Sequence, residues 1–319
     1  IRNSLRYAGT IGKHDLNIIL GQQVKYADRQ SFSNTGYGYQ YNEGGSVSVD
    51  YRIMKMMIEN NFNYYGMGTV RDRFAAFYFN ADYGYDKRYI ASATVRYDGT
   101  NALGTSRTAR WLPTWNVSGK WNVMNEHFME DVNWIDQLSL RASFGLTASM
   151  NSRASASAKF YNENATRFYS SDIESVISLS SLENSELTKK KGYLTNVGFD
   201  LGLFNRRLDV IVDCWWRKSF DLIATLKTSG VGGILSKYAN YADMDSRGVD
   251  VAIAFTPIRM KDWEWRSNFT MGYNTTKITN SKNLPSIYNL TRATGGNLEG
   301  YPVNSLFSIK YMGLDHETG

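Results

Sequence analysis

One cysteine in 319 residues, Cys214, rules out an internal disulfide framework. Its place between Val212 and Trp216 on an apolar strand face reads as an inert filler. The three histidines, His14, His127 and His316, fall on three separate expected connections, and no Cys or His pair has metal-ligand spacing. No segment approaches the roughly 18 consecutive apolar residues of a membrane helix, which excludes a helical membrane protein but says nothing of a barrel. Gly230 to Gly233 reads Gly-Val-Gly-Gly and lacks the lysine of a phosphate-binding loop. Asp243 and Asp245, two apart on one expected face, are the nearest approach to a catalytic carboxylate pair and read as solvated residues at a strand mouth. The chain is therefore expected not to be an enzyme, with no catalytic residue, cofactor or metal ligand.

Basic residues exceed acidic ones, 36 against 30, for a net charge of +6 and a pI near 9.1. They are spread along the chain, the longest run being Lys189-Lys190-Lys191, so no basic stripe suits nucleic acid. With only 4 prolines, and with 22 tyrosines, 15 phenylalanines and 8 tryptophans, the composition favours pleated strands. A mean hydropathy of -0.42 is no obstacle to a membrane barrel, whose lipid-facing and lumen-facing residues cancel in any average.

Strict alternation carries the fold. In Arg88 to Asp98, Tyr89, Ala91, Ala93, Val95 and Tyr97 share one face, and Arg88, Ser92, Thr94 and Arg96 the other. Leu138 to Ala148 repeats the pattern, with Leu138, Leu140, Ala142, Phe144 and Leu146 opposite Ser139, Arg141, Ser143, Gly145 and Thr147. The remaining expected strands are Arg2 to Thr10, Leu16 to Tyr26, Arg73 to Tyr85, Trp111 to Met124, Lys190 to Phe204, Arg207 to Thr225, Asp243 to Pro257, Asp262 to Thr279 and Ser305 to Met312. That makes about eleven, most longer than the ~9–11 residues that cross a bilayer at a tilt. Long connections, about 27–72, 99–110, 149–189, 226–242 and 280–304, lie at one end and short turns at the other, which predicts extracellular loops and periplasmic turns. Ile53 to Ile58, inside the first loop, fits a short helix or a strand. Residues 1–319 thus read as an all-β chain, part of a large antiparallel transmembrane barrel. A soluble β-rich glycan-binding protein is the alternative from another class, and shorter strands with one polar outer face would favour it.

Several words stand out in this frame: Arg96-Tyr97-Asp98-Gly99-Thr100, Arg110-Trp111-Leu112-Pro113-Thr114, Gly119-Lys120-Trp121, Leu138 to Gly145, Asn196 to Leu208 and Glu299 to Phe307, running on through Tyr311 to Gly319. Together they resemble the SusC/RagA family of TonB-dependent outer-membrane transporters. Ser185 departs from the family's Asn-Pro-x-Leu word, Asn304 stands where glycine is favoured, and Ala148-Ser149 where Gly-Asn is common. The resemblance implies a 22-stranded barrel plugged by an N-terminal domain, in the bacterial outer membrane. It also implies a SusD-like surface lipoprotein as lid, contact with TonB through the N-terminal part, and import of oligosaccharides or peptides. On this reading the chain is part of a longer one, lacking the plug, the first strands and some of the last. A plugless porin or an adhesin on similar architecture is the runner-up. No residue is assigned to substrate. Ten loop aromatics, Tyr37, Tyr39, Tyr41, Tyr64, Tyr65, Phe160, Tyr161, Phe168, Tyr169 and Tyr288, are candidates for stacking on sugar or gripping peptide, or for packing against one another or a lid. Arg88, Arg96, Arg141, Asp200, Asp209 and Asp213 are expected on the lumen side, facing a plug.

Overall fold

A computed structural model of the chain describes residues 1–37, 39–40, 44–47, 50–60, 62, 65–101, 110–149, 158–167, 169–170, 172–230, 233–282, 285–311 and 313. Its strands are β1 (Arg2–Ile11), β2 (His14–Asn34), β3 (Tyr39–Gln40), β4 (Ser46–Val47), β5 (Tyr65–Tyr85), β6 (Tyr89–Thr100), β7 (Trp111–Asn122), β8 (Ile135–Ser149), β9 (Lys159–Thr166), β10 (Ile173–Ser181), β11 (Lys190–Leu203), β12 (Leu208–Lys227), β13 (Ser236–Arg259) and β14 (Glu264–Ser281). Ten of them form one antiparallel sheet in the order β1-β2-β5-β6-β7-β8-β11-β12-β13-β14, while β3–β4 and β9–β10 are separate hairpins.

The short turns work because the chain enters left-handed backbone at the right places. Asp86 and Lys87 have φ of 52° and 55°, the pair of positive angles that matches a hairpin's twist, and Arg88 N–H closes the turn on the Tyr85 carbonyl at 2.9 Å. Gly12 at φ 61° serves the β1–β2 turn, where lacking a Cβ removes the strain. Gly145 is needed for a different reason, since a Cβ there would lie 2.5 Å from the Trp115 carbonyl oxygen on β7.

Register aligns the apolar positions into continuous rows. One row runs Leu5, Leu20, Phe79, Val95, Trp115, Leu146, Tyr193 across seven strands, and another runs Leu201, Val210, Ile253, Phe269. These side chains meet no second layer: Leu5 is 73% exposed, Leu20 55% and Phe269 56%. Among the described residues only Ala76, Val123, Met129, Leu187 and Ile278 are buried hydrophobics. A face this large and this apolar has lipid as its solvent, because exposed apolar patches on proteins in water rarely exceed a few hundred Å². Cys214 lies in it, between Val197 and Val249. No helix among the described residues is long and apolar enough to cross a membrane.

Several expectations are corrected. The tract 27–72 is not loop from its start, because β2 and β5 pair without a break from Ala27↔Asp72 to Asn34↔Tyr65. Backbone pairing satisfies the peptide groups there without any apolar pattern, so alternation gave no sign of it. Within that tract Tyr51–Glu59 is a helix, α1, whose N-cap Asp50 accepts from Arg52 N–H at 2.8 Å. The 149–189 connection carries the β9–β10 hairpin, and 280–304 a single helical turn, α2 (Ile287–Leu290). The strand expected at Ser305 to Met312 does not form over Ser305 to Tyr311: Ser305 makes one bridge, to Gly296, and residues 306–311 have no ladder. The edge of β14 is instead engaged at Ile278, which donates to the Tyr301 carbonyl at 3.0 Å and accepts from Gly300 N–H at 2.8 Å. Met312 lies outside the described residues.

Candidate functional site

The face opposite the apolar rows is polar, and its side chains join across strands. Asn17 and Asn80 donate to the Asp82 carboxylate at 2.9 and 3.0 Å, and Thr94 donates to Asn80 at 2.6 Å. Farther along the sheet Arg141 reaches two carboxylates, Asp200 at 2.9 Å and Asp213 at 3.1 Å. Ser139 adds a hydrogen bond to Asp200, while Arg141 Nε and Asp213 Oδ1 are buried without a partner within the chain. Beyond them Trp215 Nε1 donates to Asp250 at 2.9 Å, with Arg217 over the indole ring, and Arg206 pairs with Asp209 at 3.3 Å.

The structure therefore brings Arg141, Asp200 and Asp213 together, as alternation placed them, and leaves Asp209 near the β11–β12 turn. Arg96 lies on the same face, bound to Asp98 at 2.6 Å. Arg88 departs from expectation, because it sits in the β5–β6 turn at the short-turn rim. There it pairs with Glu126 at 3.2 Å and Asp86 at 3.3 Å. Glu126 also accepts from Tyr89 Oη at 2.6 Å and Trp121 Nε1 at 3.0 Å, and these bonds, with Arg88 alongside, hold its carboxyl below the usual carboxylate range. Asp86 is lowered likewise, chiefly by its hydrogen bond from Lys13. The cluster is a rim clamp.

At the opposite, long-loop end, residues 182–189 form a strap that the sequence pattern did not disclose. Leu187 is fully buried, against Ile223. Thr188 and Asn240 exchange two hydrogen bonds, Thr188 N–H to Asn240 Oδ1 at 2.8 Å and Asn240 Nδ2 to the Thr188 carbonyl at 3.0 Å. Asn240 also donates to the Asp221 carbonyl, and Asn184 to that of Tyr238, both at 2.7 Å. Lys189 reaches the other way, to the Asp98 carbonyl at the end of β6. Burial pushes its ammonium below the ordinary lysine range, with the Asp98 carboxylate opposing. The one signal in sequence was the Asn184-Ser185-Glu186-Leu187 word.

Among the described residues the loop aromatics sit on separate segments. Tyr37 and Tyr39 lie on the β2–β5 connection and Tyr65 opens β5, Phe160 and Tyr169 are on the β9–β10 hairpin and Tyr288 is on α2. Tyr41, Tyr64 and Phe168 are outside the described residues, as is the side chain of Tyr161. The catalytic candidates do not assemble either. Asp243 accepts from the Asp221 backbone N–H and from Asn280, whereas Asp245 stands between Lys218 and Lys277 in the register. His14 bonds Tyr83 and His127 bonds Glu130; His316, Val231 and Gly232 lie outside the described residues. No group of three or more metal-ligating residues occurs among those described.

The family profile described as "TonB dependent receptor-like, beta-barrel" matches residues 1–314. TonB-dependent receptor P39 of Formosa agariphila is 26% identical over 288 residues, 89% of this chain and 27% of that protein. TonB-dependent receptor SusC of Bacteroides thetaiotaomicron is 23% identical over 279 residues, 86% of this chain and 26% of that one. The RagAB peptide importer in its closed-closed state superposes with a TM-score of 0.75 at 25% identity, over 98% of this chain and 33% of its counterpart. The chain thus spans about a quarter to a third of the proteins it matches. That family is one of receptors and transporters, and its members of this kind reside in the outer membrane. With its apolar face turned to lipid and residues 1–314 matched, the chain belongs to the TonB-dependent receptor-like β-barrels, is SusC/RagA-like among them, and is an outer-membrane protein.

Proposed function

We propose that the chain is part of the wall of a barrel of about 22 strands that imports oligosaccharides or peptides across the outer membrane at the expense of energy delivered through TonB. Its long-loop end faces outward, beneath a SusD-like lipoprotein lid. Its polar face surrounds a plug formed by a segment N-terminal to residue 1. The protein performs no chemistry on its cargo. The observation that carries this reading is the charged face opposite the lipid-facing rows, where Arg141 joins Asp200 and Asp213 and all three side chains keep part of their surface open. A charged inner face suits a domain packed inside the barrel, which supplies polar partners where lipid cannot. The likeness to SusC and to the RagAB peptide importer supports the same conclusion.

The test uses the full-length protein in cells, with uptake of fluorescent oligosaccharides and peptides followed before and after an uncoupler collapses the proton-motive force. Uptake that stops with the uncoupler, and a lipoprotein that co-purifies with the barrel, are expected. Uptake that continues undiminished would sink the reading in favour of an open porin, and surface adhesion without uptake would favour an adhesin.

A further inference from the structure

On β12, β13 and β14 the lipid-facing rows end abruptly. Outward residues run Leu208, Val210, Val212, Cys214, Trp216 on β12, Phe255, Ile253, Val251, Val249 on β13, and Phe269, Met271, Tyr273 on β14. At about 2.5 Å of height per residue of a tilted strand, Leu208 to Trp216 covers ~20 Å, close to the ~25 Å apolar band of an outer-membrane barrel. The outward positions beyond them turn polar and charged: Lys218 on β12, Arg247 and Asp245 on β13, and Thr275 and Lys277 on β14. Register sets them in two rows, Trp216–Arg247–Thr275 and Lys218–Asp245–Lys277. A cleft of about 460 Å³ is lined by all six, with Gly300 and Pro302 beside it. None of Lys218, Asp245, Arg247 and Lys277 makes an ion pair among the described residues. By contrast Arg71, at the same end of β5, is paired with Asp28 at 3.0 Å.

We infer that this cleft binds the phosphorylated headgroup of an outer-leaflet lipid. Arg217 also borders the cleft, but its guanidinium lies over Trp215 of the polar face; the outward Lys218, Arg247 and Lys277 against Asp245 leave a net positive site at the membrane–water boundary, where Trp216 and Tyr273 hold the barrel at its depth. The acyl chains would lie on the apolar rows below. The site is on the outside of the wall, so it goes beyond the transport reading and uses only the orientation given there.

The full-length protein in neutral detergent is mixed with diphosphorylated lipid A, or with the same lipid stripped of phosphate, and the complexes are counted by native mass spectrometry. Each cation near a charged surface is worth about fivefold in affinity, so a preference of roughly tenfold or more for the phosphorylated lipid is expected. K218Q/R247Q/K277Q should abolish it. D245N keeps every cation and removes the one opposing charge, so it should strengthen binding by about fivefold even if the triple variant fails to fold. Equal retention of the two lipids, or no gain in D245N, overturns the inference. Displacement of the lipid by inorganic phosphate alone overturns it too, by making this a simple anion site. Uptake is not read in this assay, so its failure leaves the transport proposal to its own test.

Discussion

Lys189 Nζ donates to the backbone carbonyl of Asp98 at 3.1 Å, joining residues 91 apart in sequence and tying the strap just before β11 to β6, with β7 and β8 between those strands. Removing the ammonium strips a part-buried carbonyl of its donor but also relieves the cost of burying a charge. Lys189→Met should therefore cost only about 1 kcal/mol, and Lys189→Ala, which also leaves a void, about 2–3 kcal/mol. Urea unfolding of the full-length protein in detergent measures both. The connection between β10 and β11 should become more sensitive to protease in the same order.

Val95 lies in the middle of an outward row, 45% exposed. Val95→Arg places a charge in lipid near mid-depth and should cost about 2–4 kcal/mol, read as a lower denaturant midpoint after refolding into vesicles. An unchanged midpoint would show the face assignment of β6 to be inverted.

The rim clamp should respond to acid. The folded-state pKa values of Glu126 and Asp86 lie below their unfolded values, so the stabilisation they give is complete above the ordinary carboxylate range. It disappears as pH falls through that range to the lowered values. The thermal midpoint of the wild type should drop over that window, while Glu126→Gln should start lower and fall less. A parallel fall in both proteins would remove Glu126 from the effect.

Arg141 holds Asp200 and Asp213 together, so Arg141→Gln leaves two neighbouring carboxylates without their shared cation. The Arg141 side chain is 35% exposed, and screening limits the expected loss to about 1–2 kcal/mol. Adding Asp213→Asn should recover part of it in the same urea titration, since the repulsion then disappears. Equal stability of the single and double variants would show that the two acids do not interact.

Alternation disclosed the ten main-sheet strands wherever one face had to meet lipid, as in Leu138 to Ala148, because a one-residue slip there exposes polar groups to hydrocarbon. It fell silent where that constraint ends. Beyond Tyr26 on β2 the residues to Asn34 are polar but for Ala27 and Phe32, so no alternation extends there, and the β9–β10 hairpin is built from residues such as Glu163, Ser175 and Ser178 that read as loop. Ser305 to Tyr311 shows the converse, an apolar and aromatic stretch without the partner that a strand requires. Arg141, Asp200 and Asp213 were legible as a face but not as a cluster, since sequence does not fix the register between β8, β11 and β12. The strap at Asn184 to Lys189 was hidden because its bonds go to β6, β12 and β13, none of which adjoins it in the chain.

The main sheet ascends in chain order, and separate hairpins interrupt it twice, β3–β4 between β2 and β5 and β9–β10 between β8 and β11. A backbone cut in the second connection, between β10 and β11, severs no ladder. It leaves two contiguous blocks that meet along a single seam, Lys190↔Ser149 to Leu203↔Ile135, whose shift between Gly202 and Leu203 resists slippage. The pairing across that seam, set by residues on both sides, is what would guide two such blocks back into register.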